Sequence, residues 1–205
     1  MRSDSIAFGI AGILFGLLAG WVIGTQQAKM GPQVPTTPPA AQASAAPAGN
    51  STPPPLDATR VAAFKSVAER EPTNPAPRVQ LGNLYFDAEK FDEALRWYSE
   101  GLKLAPRNAD VSTDLALCYF YTNQSDKALE QFKTSLAIDP KHVKTLLNLG
   151  LVRAYGKQDL AGAQLAWQQV LDIAPDSPEG RKAKQALDSI KSAHPNVAVA
   201  APPGS

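Results

Sequence analysis

Cysteine is almost absent from this sequence. Cys118 is the only one in 205 residues, so no disulfide can form within the chain. Histidine is nearly as scarce: His142 opens a helical segment, His194 lies in the tail, and neither is placed to serve Cys118 as a base. Cys118 sits mid-helix beside Tyr119 in an apolar stripe, where a buried small hydrophobe is the ordinary role. A phosphate-cradling glycine loop, a metal-spaced His/Cys cluster and a Ser-His-Asp candidate are all missing. The expectation is therefore no enzyme, no cofactor and no metal. An excess of charge is lacking too, with 20 basic against 19 acidic side chains. Arg2, Asp4 and Lys29 are the ones outside residues 56–195, which leaves 18 of each sign in that stretch. Such a balance argues against a nucleic-acid-binding surface, which needs a basic excess on one face. The Arg181, Lys182, Lys184 cluster reads as the solvated side of a capping helix.

Charge is missing altogether between Ser5 and Ala28, and Ile6 to Ile23 is an almost unbroken apolar run. As a helix that run rises about 27 Å, enough to cross a bilayer core. The alternative, a cleaved signal peptide, wants a shorter apolar region and a nearby A-x-A site. Ala41-Gln42-Ala43 has that form but lies well past the apolar end. Residues 1–30 are therefore expected to form a retained transmembrane signal anchor. Gly12, Gly16, Gly20 and Gly24 recur at a spacing of four within it, a small-xxx-small stripe that lets two helix backbones approach in lipid, so self-association through the anchor is expected. Trp21 fits an interfacial aromatic. Arg2 and the terminal amine at one end outweigh Lys29 at the other, which places the N-terminus in the cytoplasm and the rest outside it. Residues 31–55 are rich in Pro, Ala, Ser and Thr, carry no charge and cannot bury enough surface to fold. They read as a linker, reaching ~75 Å if extended and ~30 Å if freely coiled.

The rest of the chain is organised by a repeat. Leu81-Gly82, Leu115-Ala116 and Leu149-Gly150 stand at a period of 34. Each pair is followed by Ala94, Ala128 or Ala163, then by Tyr98, Phe132 or Trp167, then by Pro106, Pro140 or Pro175. The third copy holds one extra residue between Tyr155 and Ala163. Leu81, Leu84 and Tyr85 make an i, i+3, i+4 stripe on one helix, and Ala94, Leu95, Tyr98, Leu102 and Leu104 make another on the next. Small residues at Gly82 and Ala94 permit close approach of two antiparallel helices, and Tyr98 fills the space beside them. Pro106 stops the second helix.

These residues resemble the tetratricopeptide repeat (TPR) family. The expected fold is all-α, a helix–turn–helix solenoid whose units stack because none buries its apolar face alone. The copies span residues 75–108, 109–142 and 143–176. Before them, residues 56–74 carry Val61, Phe64, Val67 and Ala68 on one face and read as a half-repeat N-cap. After them, residues 177–194 read as a C-terminal capping helix with Ala183, Ala186, Leu187 and Ile190 inward. Residues 195–205 read as a frayed tail. Some positions depart from the family pattern. Glu89 stands where Gly is usual in the turn, Arg153 replaces the aromatic found at Tyr85 and Tyr119, and Gly101 replaces Ala.

The resemblance implies a concave groove lined by the first helix of each copy. Carried over, its residues are Val79, Asn83, Phe86 and Asp87, then Thr113, Leu117, Phe120 and Tyr121, then Leu147, Leu151, Ala154 and Tyr155. Many are apolar or aromatic, and an exposed apolar stripe marks a partner site. A protein or peptide partner is thus implied. A C-terminal-carboxylate clamp, known in some members, is not expected. Asn83 and Lys144 fit it, but Val79 and Asn148 stand where basic residues belong. The layout of anchor, tether and short array resembles TPR proteins of bacterial envelope assembly, such as those of cytochrome c maturation or the Sec translocon. That implies a periplasmic array on the inner membrane. The competing reading is a homo-oligomeric membrane scaffold with no client groove.

Overall fold

The computed structural model describes residues 53–194. The expected anchor with its four glycines, nearly all of the expected linker and the expected tail lie outside them. Among the described residues no helix is long and apolar enough to cross a membrane.

Within the described residues eight α-helices run α1 (Ala58–Arg70), α2 (Ala76–Asp87), α3 (Phe91–Leu104), α4 (Ala109–Tyr121), α5 (Ser125–Ile138), α6 (Val143–Leu151), α7 (Leu160–Ile173) and α8 (Pro178–Ala193). Their starts are written in short polar residues. Asp57, Asn108, Asp159 and Ser177 each accept a bond from the backbone N–H three residues on, satisfying a donor the helix leaves free. Pro178 at the first helical position of α8 adds a preset φ.

Each copy contributes two helices, α2 with α3, α4 with α5 and α6 with α7. The side chains at the centre of each pair are the repeat-defining ones. Leu81, Ala94, Ala116, Ala128, Phe132 and Ala163 are wholly buried, with Tyr98 and Trp167 nearly so. Gly82 lies under the Tyr98 ring and Gly150 under the Trp167 indole, so closely that a methyl group at either position would occupy the ring's space. Trp167 Nε1 donates to Leu147 O at 2.9 Å, and the Tyr98 hydroxyl donates to Asn83 Oδ1 at 2.8 Å. Each ring thus fills the gap between its two helices and satisfies its polar atom across it. The half-repeat α1 adds Val61 and Phe64 to the first cluster, and α8 adds Ala183 and Ile190 to the last.

The turns between paired helices share one geometry. Lys90 N donates to Tyr85 O at 2.8 Å and Glu89 N to Phe86 O at 2.9 Å, a Schellman closure. The bonds from Gln124 N to Tyr119 O at 2.8 Å and from Asn123 N to Phe120 O at 3.0 Å repeat it. The closure places Glu89, Asn123 and Gln158 at φ of 54°, 60° and 56°. Asn tolerates this left-handed region; Glu and Gln pay for it in strain. We predict that Glu89→Gly raises stability by about 1 kcal/mol, since the relief of left-handed strain exceeds the added unfolded-chain entropy. Chemical denaturation should show the midpoint moving up, and a midpoint that falls contradicts this account of the turn.

The extra residue of the third copy is absorbed locally. Val152–Gly156 continue α6 as a π-helix, the usual way a helix accommodates one inserted residue. The insertion stretches the closure, so Asp159 N reaches back to Arg153 O at 2.8 Å across one more residue than in the other copies. Arg153 turns outward to donate to Gly162 O at 3.2 Å at the start of α7.

Candidate functional site

Polar side chains join α4 to α6 at one end of the first helices, and aromatic ones join α2 to α4 at the other. At the N-terminal end, Thr113 Oγ1 donates to Ala109 O at 2.7 Å and lies 2.6 Å from Thr145 Oγ1. His142 Nδ1 sits 2.7 Å from the same Thr145 hydroxyl, and its Nε2 is 3.3 Å from Asp110 Oδ1. Lys144 Nζ is 2.7 Å from Asp114 Oδ1 and 4.0 Å from Asp110 Oδ1. Burial lifts the Asp114 carboxyl above the usual carboxylate range, with the Lys144 ammonium pulling the other way. Burial and the Asp114 charge also push the Cys118 thiol up, so it stays protonated.

At the C-terminal end, Tyr121 of α4 stacks on Phe91 of α3, with ring centroids 4.4 Å apart and planes 15° from parallel. Phe86 of α2 meets Tyr121 edge-on at 5.9 Å and Phe91 at 5.4 Å. Phe120 lies 5.4 Å from Tyr121. Tyr121 is 44% exposed and Tyr155, on the π-helical turn of α6, is 49% exposed. Burial raises the Tyr121 phenol, and the nearby Glu89 carboxylate adds to that.

The twelve residues assigned to a groove divide into three groups. Tyr121, Tyr155 and Asp87 present real surface. Val79, Asn83, Phe86, Phe120, Leu147 and Leu151 are half-buried. Val79 packs over Gly101, 3.1 Å from where a β-carbon would stand. Asn83 is engaged by Tyr98, and Phe120 packs on the Phe132 cluster. Thr113, Leu117 and Ala154 are buried, and here the expectation of a lining role is corrected. Thr113 faces Thr145 on the next first helix, and Leu117 joins Ala116, Ala128 and Phe132 in the core. Each central first helix is covered by its own second helix, by the preceding second helix and by its neighbouring first helix, so the stripe left open is narrow.

Two features escaped the sequence reading. Phe91 begins a second helix, yet completes the aromatic cluster because the tight turn folds it back beside Phe86. Asp110 and Asp114 pair with Lys144 across copies, which the period would have suggested, since Asp110 and Lys144 stand at the same place in successive copies. A separate shallow cleft of about 660 Å³ lies between α5 and α6, lined among others by Tyr119, Lys127, Glu130, Arg153 and Asp159. Six of its eleven lining residues are charged, and the exposed tyrosines are not among them. The tyrosine edge is the better candidate.

A family model described as the Cilia and flagella-associated protein 70 middle TPR-like domain matches residues 80–200. No curated protein matches the chain. Among solved structures, the first TPR of Spaghetti (RPAP3) bound to the HSP90 peptide SRMEEVD is 27% identical, with TM-score 0.54 over 58% of this chain and 94% of that one. The first TPR domain of human RPAP3 is 28% identical, with TM-score 0.50 over 60% and 99%. The crystal structure of MamA, 20% identical with TM-score 0.58 over 65% of this chain and 75% of that one, shares the fold.

Proposed function

Because this chain belongs to the family of the Cilia and flagella-associated protein 70 middle TPR-like domain, we propose that it is a non-catalytic interaction module holding a peptide or helix of another protein. The proposed site is the α2–α4–α6 face. The carrying observation is Tyr121, aromatic surface left open beside a packed cluster of three phenylalanines, with Tyr155 exposed at the same place in the next copy. Solvent-facing tyrosines of this kind supply large contact area at low entropic cost. The peptide seated on the related RPAP3 structure supports the same use of the fold. Screening the full-length chain in neutral detergent against a displayed peptide library tests the reading. A saturable ligand that competes for one site and weakens with Tyr155→Ala is expected. No saturable ligand would favour the scaffold.

The same reading includes the N-terminal segment. Residues 1–30 anchor the chain in a membrane, and residues 31–55 tether the array outside the cytoplasm, on the inner membrane of a bacterial envelope where it serves protein assembly. The uncharged apolar run and the Arg2 bias support this. Protease treatment of spheroplasts should remove the array and leave a small membrane-bound fragment. Full protection, or a mature N-terminus near Ser44, contradicts the anchor. In a membrane dimerisation reporter carrying residues 1–30, Gly16→Leu and Gly20→Leu should each weaken the signal, because a large side chain separates backbones that glycine lets touch. Signals equal to the original would show that the glycine stripe has no pairing role.

A further inference from the structure

The occupant of the α2–α4–α6 face can be narrowed by charge, given the binding role just argued. Along this face the first two copies supply carboxylates at both ends: Asp87 at the end of α2 and Glu89, close enough to act on the Tyr121 phenol, at the aromatic end, and Asp110 and Asp114 on α4 at the polar end. At the polar end the Lys144 ammonium is taken up by Asp114 at 2.7 Å and Asp110 at 4.0 Å. Even so, Asp110 remains 69% exposed at its side chain. Burial raises the carboxyls of both Asp114 and Asp87 above their ordinary range, against the opposing pull of Lys144 on one and Arg60 on the other. A further cation brought in by a ligand would lower both. The tyrosine rings add negative faces, which attract guanidinium and ammonium groups within about 6 Å.

We propose that the face takes a segment of another protein in which apolar side chains alternate with Lys or Arg, the apolar ones against the Phe86–Tyr121–Tyr155 edge and the cations over Asp87, Asp110 and the tyrosine rings. An acidic segment, such as the HSP90 peptide SRMEEVD seated on the RPAP3 relative, meets like charge here. Residues 195–205 carry no Lys or Arg, so this chain's own C-terminal stretch lacks the groups the face selects. A second copy offers a surface of balanced charge, with 18 side chains of each sign between residues 56 and 195.

Two fluorescent peptides with identical leucine spacing, one filled with Lys and Arg and the other with Glu, test this on the full-length chain in neutral detergent. The cationic peptide should bind saturably and about tenfold or more tighter than the acidic one at low salt, with the gap closing as salt screens it. Tyr155→Ala should weaken it about tenfold. The double variant Asp110→Asn with Asp114→Asn frees Lys144, and it should shift the preference toward the acidic peptide while circular dichroism shows unchanged helix content. Tighter binding of the acidic peptide by the original chain overturns the charge assignment and leaves the binding face standing. Binding of neither peptide by the folded chain overturns both. Cationic binding indifferent to all three substitutions places the site elsewhere and overturns the proposal. It is also overturned if deleting residues 195–205 is required for binding, or if Tyr155→Ala turns a dimer into a monomer, since either names a different occupant.

Discussion

Phe132→Ala should lower the stability of the array by about 3–5 kcal/mol, the range for emptying a fully buried aromatic site. Phe132 has no exposed surface and sits among Ala116, Leu117, Ala128 and Val152, residues drawn from the second and third copies. The space it vacates borders helices from both copies, so its removal loosens a copy and the junction to the next. In a solenoid each unit contacts only its neighbours, and weakening the central one divides the stack. Thermal unfolding monitored by circular dichroism should move down by roughly 10 °C or more. A shift of only a degree or two would mean the second copy does not hold the array together.

Tyr121→Ala carries the second large effect, in binding rather than folding. Its ring stacks on Phe91 and remains 44% exposed, so its loss removes an aromatic pair worth about 1 kcal/mol to the fold. A central aromatic on a docking face typically costs about 2 kcal/mol or more of binding when truncated, or roughly 30-fold in affinity. Phe120→Ala makes the useful contrast. Phe120 is half-buried on the Phe132 cluster, with Cε2 3.2 Å from the position of a β-carbon at Gly156, so its truncation should cost stability first and affinity as a consequence. Isothermal titration with a peptide ligand, beside thermal melts of both variants, separates the two roles. Equal stability losses for Tyr121→Ala and Phe120→Ala would mean that Tyr121 belongs to the core.

The repeat was legible because its signals are spatial necessities repeated at one offset. A small residue at Gly82, Ala116 or Gly150 and a ring at Tyr98, Phe132 or Trp167 are two sides of the same contact. The left-handed turn was legible at Glu89 for a related reason, since a family with glycine there signals a positive φ, and Glu89 adopts it at 54°. The faces of the first helices were less so. Helical spacing tells which residues share a side, but Thr113 and Thr145 are hidden by contact between neighbouring first helices, and that contact is set by how the copies stack. The π-helical turn at Val152–Gly156 was equally opaque. One added residue between Tyr155 and Ala163 could have lengthened the loop instead; the helix took it up, and Tyr155 ended on the exposed side. Phe91 joined the aromatic edge through the turn, which no periodicity describes.

The account turns on one claim, that a partner seats on the α2–α4–α6 face. Site-specific photo-crosslinking from the full-length chain in its native cells measures this directly. A photoreactive residue at Tyr121 or Tyr155 should trap one discrete adduct, whereas the same residue at Lys127 or Lys133, which line the α5–α6 cleft, should trap none. An adduct from the cleft positions with silence at both tyrosines would contradict the account.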